Sequence, residues 1–257
     1  MKLIRSAIFF SLLIMLPIAV CSQVFAEIAI GPLTKTVQIA PGDSKTVAYK
    51  VANRGDEQVA LNITAKTWFT LPGNADIGID DWLDIGKAKI NLAPGAERDL
   101  EFKVNVPKQA TGELAAMIYF TPERKEEQNI GTSYGVSLYI FIKGTEVIDP
   151  AIDAVSIDKN NDKAYLAVTI KNNGNVHFRP KISAVIKVGK DFKEKIDFPF
   201  GKPIYGGTKY TFTREILAEL SKTGMCTIEV SCNYADSKDT VLNKVVDIDL
   251  SEVKDQE

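Results

Sequence analysis

The chain has 257 residues, 45% of them hydrophobic and 25% charged, with a formal net charge of −2. That apolar content argues against a disordered chain, and acids interspersed with bases argue against a generic electrostatic hold on nucleic acid. The length leaves room for two units of about 100 residues each.

Lys2 and Arg5 form a positive start, residues 8–20 form an apolar run broken by Ser11 and Pro17, and Val24-Phe25-Ala26 supplies a small residue for cleavage. Residues 1–26 therefore read as a secretory signal peptide, with the protein periplasmic, secreted or at the cell surface. A rival reading makes Ile18-Ala19-Val20-Cys21 a lipobox, but Val20 suits the position before a lipidated Cys poorly. No later run reaches the roughly 20 apolar residues of a membrane span, so no stable membrane insertion is expected.

Beyond residue 27 the apolar period is two almost everywhere. Strands are expected at 36–40, 44–53, 59–69, 89–92, 98–106, 112–121 and 133–143. Ala40-Pro41-Gly42 and Ala93-Pro94-Gly95 repeat one phrase. Pro presets φ and Gly accepts a positive φ, so both read as type II turns. The polar stretch 71–85 should be exposed, with Trp82 tucked against the edge of the fold. Residues 122–132 form a charged loop. Asp149 before Pro150 suits an extended linker at 147–150. That divides the chain into a signal peptide (1–26), an N-terminal domain (27–146), the linker, a C-terminal domain (151–250) and a flexible tail (251–257). In the second half strands are expected at 152–158, 164–172, 181–190, 193–198, 208–213, 225–234 and 241–249, with a short helix at 216–220. Asn172-Asn173-Gly174 echoes Asn53-Arg54-Gly55, each closing an apolar strand. Seven strands twice, about ten residues apart, make an all-β chain of two tandem immunoglobulin-like antiparallel β-sandwich domains.

Little in the sequence suggests catalysis. His177 is the one histidine, and no Gly-x-Ser-x-Gly turn accompanies it, so a structural or surface role is expected and an enzyme is not. Cys226 and Cys232 lie six positions apart on one alternating strand, roughly 20 Å, whereas a disulfide needs Cα atoms within about 7 Å. They read as free, buried thiols. Asp76, Asp80, Asp81 and Asp84 read as a solvated acidic loop rather than a Ca²⁺ site, and no metal or cofactor is expected. The more informative segment is 135–143. Val136, Leu138, Ile140 and Ile142 face one way; Ser137, Tyr139, Phe141 and Lys143 face the other. One side belongs in the core. The other leaves Tyr139 and Phe141 either covered by the second domain or free on an edge strand that docks a strand from another protein.

The order of features resembles a known family. Pro41-Gly42-Asp43-Ser44, Asn53-Arg54-Gly55-Asp56, Trp68, Asp81-Trp82-Leu83, Asn91-Leu92-Ala93-Pro94-Gly95, Val104-Asn105-Val106-Pro107, the charged loop and the apolar strand 136–142 follow one another as in the N-terminal domain of PapD-like periplasmic pilus-assembly chaperones. The resemblance covers residues 36–143, and more loosely Asn172-Asn173-Gly174-Asn175-Val176-His177-Phe178-Arg179-Pro180. It implies a chaperone that completes a β-rich pilus or surface subunit by strand augmentation. Val136, Leu138, Ile140 and Ile142 would be donated, with Tyr139 and Phe141 alongside. It also implies an Arg and a Lys anchoring the subunit's terminal carboxylate in the cleft between domains. Tyr139 aligns with that lysine, and the nearest cations on the two strands are Lys35 and Lys143. The free protein is expected to be a monomer. The alternative is a non-catalytic cell-surface structural or adhesion module of stacked domains.

Overall fold

The computed structural model describes residues 28–69, 78–123, 132–160, 163–189, 192–217, 224–235, 240–251 and 253. The signal peptide, Cys21, Asp76, most of the charged loop, residues 218–220 of the expected helix and most of the C-terminal tail lie outside them.

Sixteen strands follow one another among the described residues. They are β1 (Ile28–Gly31), β2 (Thr34–Ile39), β3 (Ser44–Asn53), β4 (Val59–Phe69), β5 (Leu83–Asp84), β6 (Lys89–Leu92), β7 (Glu97–Asn105), β8 (Glu113–Pro122) and β9 (Tyr134–Ile142), then β10 (Pro150–Asn160), β11 (Lys163–Asn172), β12 (Lys181–Val188), β13 (Phe192–Asp197), β14 (Lys209–Ile216), β15 (Met225–Asn233) and β16 (Val241–Asp249). The first nine form two sheets, ordered β1-β3-β7-β5 and β2-β9-β8-β4-β6. The rest form β10-β11-β14 and β13-β12-β15-β16. No described helix is long and apolar enough to cross a membrane.

Each pair of sheets closes on its own core. Tyr49, Leu61, Phe102, Ile118 and Phe120 fill the first; Leu166, Ile170, Ile186, Phe212 and Ile228 fill the second. Cys226 and Cys232 are free and buried in the second core, and burial raises both thiol pKa values, Cys232 to about 11. Both Ala-Pro-Gly turns form as expected. The Asp43 amide bonds the Ala40 carbonyl at 3.0 Å, that of Ala96 bonds Ala93 at 3.1 Å, and Gly42 and Gly95 take φ of 84° and 69°.

Two expectations change. The strand expected at 36–40 is β2, and a further strand, β1, precedes it. β1 pairs antiparallel with β3; Pro32, which has no amide to offer a ladder, interrupts; β2 then joins the other sheet, parallel to β9, with Thr34 opposite Ser137 and Ile39 opposite Ile142. The expected helix also starts too early, since Ile216 ends β14 as a buried strand residue.

The echo between Asn53 and Asn172 is structural. Both are buried strand-end residues. Asn53 Nδ2 donates to the carbonyls of Glu57, Leu92 and Ala93, and its Oδ1 accepts from Gly55. Asn172 Nδ2 donates to Val176 and Ile204, and its Oδ1 accepts from Gly174. Each amide closes a tight loop and ties it to a neighbouring segment.

The connection between the sandwiches is held along its length. The Asn175 side chain accepts from the Val147 amide at 2.6 Å and donates to the Thr145 carbonyl at 2.8 Å. The Asn173 and Asn175 amides donate to the carbonyls of Asp149 and Val147. Gly174 permits this approach, because a Cβ there would sit 2.1 Å from the Val147 oxygen.

Candidate functional site

β9 runs through the junction of the two sandwiches. Its inward residues are committed to its own core: Val136 is 1% exposed, and Leu138, Ile140 and Ile142 are fully buried. Alternation puts Ser137, Tyr139 and Phe141 on the opposite face. Of the two possibilities for that face, the structure shows coverage by the second sandwich. His177 lies with its ring centroid 4.6 Å from Tyr139 and 5.5 Å from Phe141. The Tyr139 and Tyr205 hydroxyls are 3.4 Å apart. Trp68 approaches Tyr205 at 6.0 Å, and Phe69 stacks on it at 4.3 Å. Burial, with a smaller contribution from the bond to Tyr139, raises the Tyr205 phenol well above its ordinary value, so it stays protonated.

Beside this aromatic cluster lies a buried ionisable contact. Glu113 on β8 is 4% exposed. Its Oε2 accepts from the His177 backbone amide at 2.6 Å, and its two oxygens lie 2.7 and 2.8 Å from His177 Nδ1. His177 is therefore a structural residue that joins the two sandwiches.

The edge of β9 is not free where an edge was expected. From Ser137 to Ile142 the strand has β8 on one side and β2 on the other. The reason is the sheet switch at Pro32, which lays β2 over that edge. Only Tyr134, Gly135 and Val136 have a β8 partner without a β2 partner among the described pairings. The Ser137 amide bonds Leu33 on the β2 side, while that of Ile142 bonds Gly112 on the β8 side. Alternation then turns the Gly135 amide and carbonyl outward, toward the open edge.

The two candidate anchors stand away from the cleft. Lys35 Nζ donates to the Ala48 carbonyl at 2.6 Å and lies 5.4 Å over the Tyr49 ring, on the core side of β2. Lys143 is exposed in the turn after β9, and neither lysine lines the cleft. The cleft between the sandwiches, about 580 Å³, is lined by Phe141, Ile148, Phe178, Arg179, Lys181 and Phe200 among others. Its cations come from the second sandwich. Arg179 donates to the Gly201 carbonyl and, at 3.5 Å, to the Tyr139 hydroxyl. Phe200 is 61% exposed at the rim, with Lys181 Nζ 5.5 Å from its ring. Sequence reading missed Arg179 as a cleft residue. The only signal was its place five residues after the Asn172-Asn173-Gly174 turn.

The described acids of that stretch serve local turns. Asp80 and Asp81 belong to a 3-10 turn, and Asp84 Oδ1 accepts from the Gly86 amide. Among the described residues no three His, Cys, Asp or Glu side chains group to hold a metal ion.

No protein-family model and no curated protein matches the sequence. Solved structures do. A chain of the chaperone–tip adhesin complex of CFA/I fimbriae biogenesis is 18% identical, with 86% of this chain and 98% of that one covered and a TM-score of 0.52. The class 5 fimbriae chaperone CfaA is 17% identical, with 85% and 98% covered and a TM-score of 0.50. The chain therefore has the two-domain β-sandwich fold of the PapD-like fimbrial chaperones.

Proposed function

We propose that this protein is an exported chaperone, a divergent PapD-like member, that holds β-rich subunits of a pilus or other surface fibre. The observation that carries this reading is a strand edge at Tyr134–Val136 with no partner beyond β8 among the described pairings, on the same strand whose Phe141 lines the interdomain cleft. An incoming strand would pair with the outward amide and carbonyl of Gly135, gaining main-chain hydrogen bonds of the β-augmentation kind. The donated segment would begin upstream of Leu138 and Ile140. Pairing at Leu138, Tyr139, Ile140, Phe141 and Ile142 would require β2 to leave. The anchoring role of Lys35 and Lys143 passes in this reading to Arg179 and Lys181, whose charges suit a carboxylate in a partly apolar cleft.

The test is co-purification of a small β-rich subunit with the tagged chain from its native envelope. Gly135→Pro removes the outward amide and leaves the β8 ladder in place. Arg179→Ala removes a cleft cation. Variants that remain folded by circular dichroism should lose capture. Full capture by both would overturn the reading and return the protein to the class of surface structural modules.

A further inference from the structure

The second sandwich has a long strand edge of its own. β14 (Lys209–Ile216) pairs on one side with β11, with no break in register from Lys209–Lys171 to Ile216–Ala164. On its other side no strand is paired among the described residues. Of the other outer strands, β5 has two residues, β1 and β6 have four and β2 has six, β13 carries Lys193, Glu194 and Lys195, and the longer β10 and β16 pack against each other. β14 has eight residues and contains neither proline nor glycine. Such an edge is a template for another strand.

The ladder fixes which groups face outward. The Asn172 amide donates to the Thr208 carbonyl, the pair that continues the β11–β14 register. Hydrogen-bonded pairs alternate, so Tyr210, Phe212, Arg214 and Ile216 bond to β11. Lys209, Thr211, Thr213 and Glu215 therefore turn their amides and carbonyls to the open side. Their side chains are exposed, while Phe212 and Ile216 are buried.

We infer that the β14 edge is a homodimer interface, taking β14 of a second copy in antiparallel register about a two-fold axis at Phe212. That register places Lys209 opposite Glu215 and Thr211 opposite Thr213. It also places Tyr210 opposite Arg214. Opposite charges directly across a strand pair attract, and Thr–Thr pairs are favourable. Tyr210 already draws Lys202 Nζ to 4.8 Å from its ring centroid, and Arg214 is a further cation for such a ring. An axis at Thr211 leaves Glu215 without a facing residue, and an axis at Thr213 sets Arg214 against Phe212. The charge order along the strand thus selects one register and selects a second copy as its occupant. In the monomer Lys209 pairs with Asp153 at 3.4 Å and Glu215 with Lys163 at 3.1 Å. Both are exposed pairs that hold little energy, so they can regroup on association. The dimer joins two three-stranded sheets into one and leaves the interdomain cleft untouched.

Sedimentation equilibrium on the purified chain tests this. The expected result is a reversible dimer. Glu215→Lys or Lys209→Glu, each alone, should weaken self-association at least about tenfold, because like charges then face each other at both ends. A mixture of the two single variants should dimerise within about threefold of the original chain, since every facing pair is again opposite. Thr213→Pro deletes an outward amide without touching the β11 ladder and should give a monomer. A chain that is monomeric up to millimolar concentration overturns the proposal, as does a dimer indifferent to the charge changes.

Discussion

Glu113 of the first sandwich and His177 of the second meet through the histidine's backbone amide and its Nδ1, all within 2.8 Å. The carboxylate is almost wholly buried, so it depends on those donors in place of water. With the Asn175 bonds to the linker, this contact sets how the sandwiches meet and therefore how wide the cleft is.

Removing the ring should loosen that junction. His177→Ala leaves Glu113 with the backbone donor alone and is expected to cost about 1–3 kcal/mol in urea unfolding. Small-angle scattering should show a wider spread of interdomain angles. Glu113→Gln keeps the shape and should cost less. Unchanged scattering for His177→Ala would mean that the ring does not help fix the angle.

The paired asparagines make a second prediction. Asn53→Ala removes the side-chain donor to the carbonyls of Leu92 and Ala93 in the first sandwich, and Asn172→Ala removes the side-chain donor to Val176 and one of the two donors to Ile204, whose carbonyl keeps the Phe178 amide, in the second. Each should lose about 1–3 kcal/mol. The loss should fall mainly on the sandwich that holds the residue, as followed by hydrogen exchange. A uniform loss across both sandwiches would show that they unfold as one unit.

Gly174→Ala tests the close approach to the linker. The added methyl carbon meets the Val147 oxygen and carbon and the Asp149 nitrogen, all backbone atoms that cannot swing aside. A drop in melting temperature and faster proteolysis near the linker are expected. Gly224→Ala, with nothing within 4 Å of its Cβ, is the control and should change little.

The thiols give a pH prediction. Burial raises the folded-state pKa of Cys232 to about 11, above its unfolded value. A raised thiol pKa means that the folded chain holds its proton more tightly. The associated stability is complete below the unfolded pKa and is lost as pH rises through about 11; in this window it amounts to at most about 2–3 kcal/mol. Thiol reagents at pH 8 should label neither Cys226 nor Cys232 until denaturant is added. Rapid labelling of the native protein would show that β15 opens.

Much of the fold was legible because strand periodicity and turn chemistry are local. The alternation in 225–234 gives β15, and the two Ala-Pro-Gly phrases give two turns whose Gly φ values are positive. The paired asparagines could be read as an echo, though not as hydrogen-bond hubs, since their acceptors Leu92 and Ile204 lie 39 and 32 residues away. The candidate site was less legible. The two-sided apolar pattern of β9 is the same whether its outer face meets a partner or its own second sandwich.

The sequence by itself determined an all-β chain, two sandwiches and which face of each strand is apolar, because these follow from a two-residue period and from Pro and Gly at turns. Only the tertiary structure decided that β2 crosses sheets to lie along β9, that His177 and Tyr205 cover Tyr139, and that the cleft takes its cations from Arg179 and Lys181 instead of Lys35 and Lys143. Those outcomes depend on which sheet edge a strand joins and how two rigid bodies meet. They are set by packing between residues far apart in the chain, which no local pattern encodes.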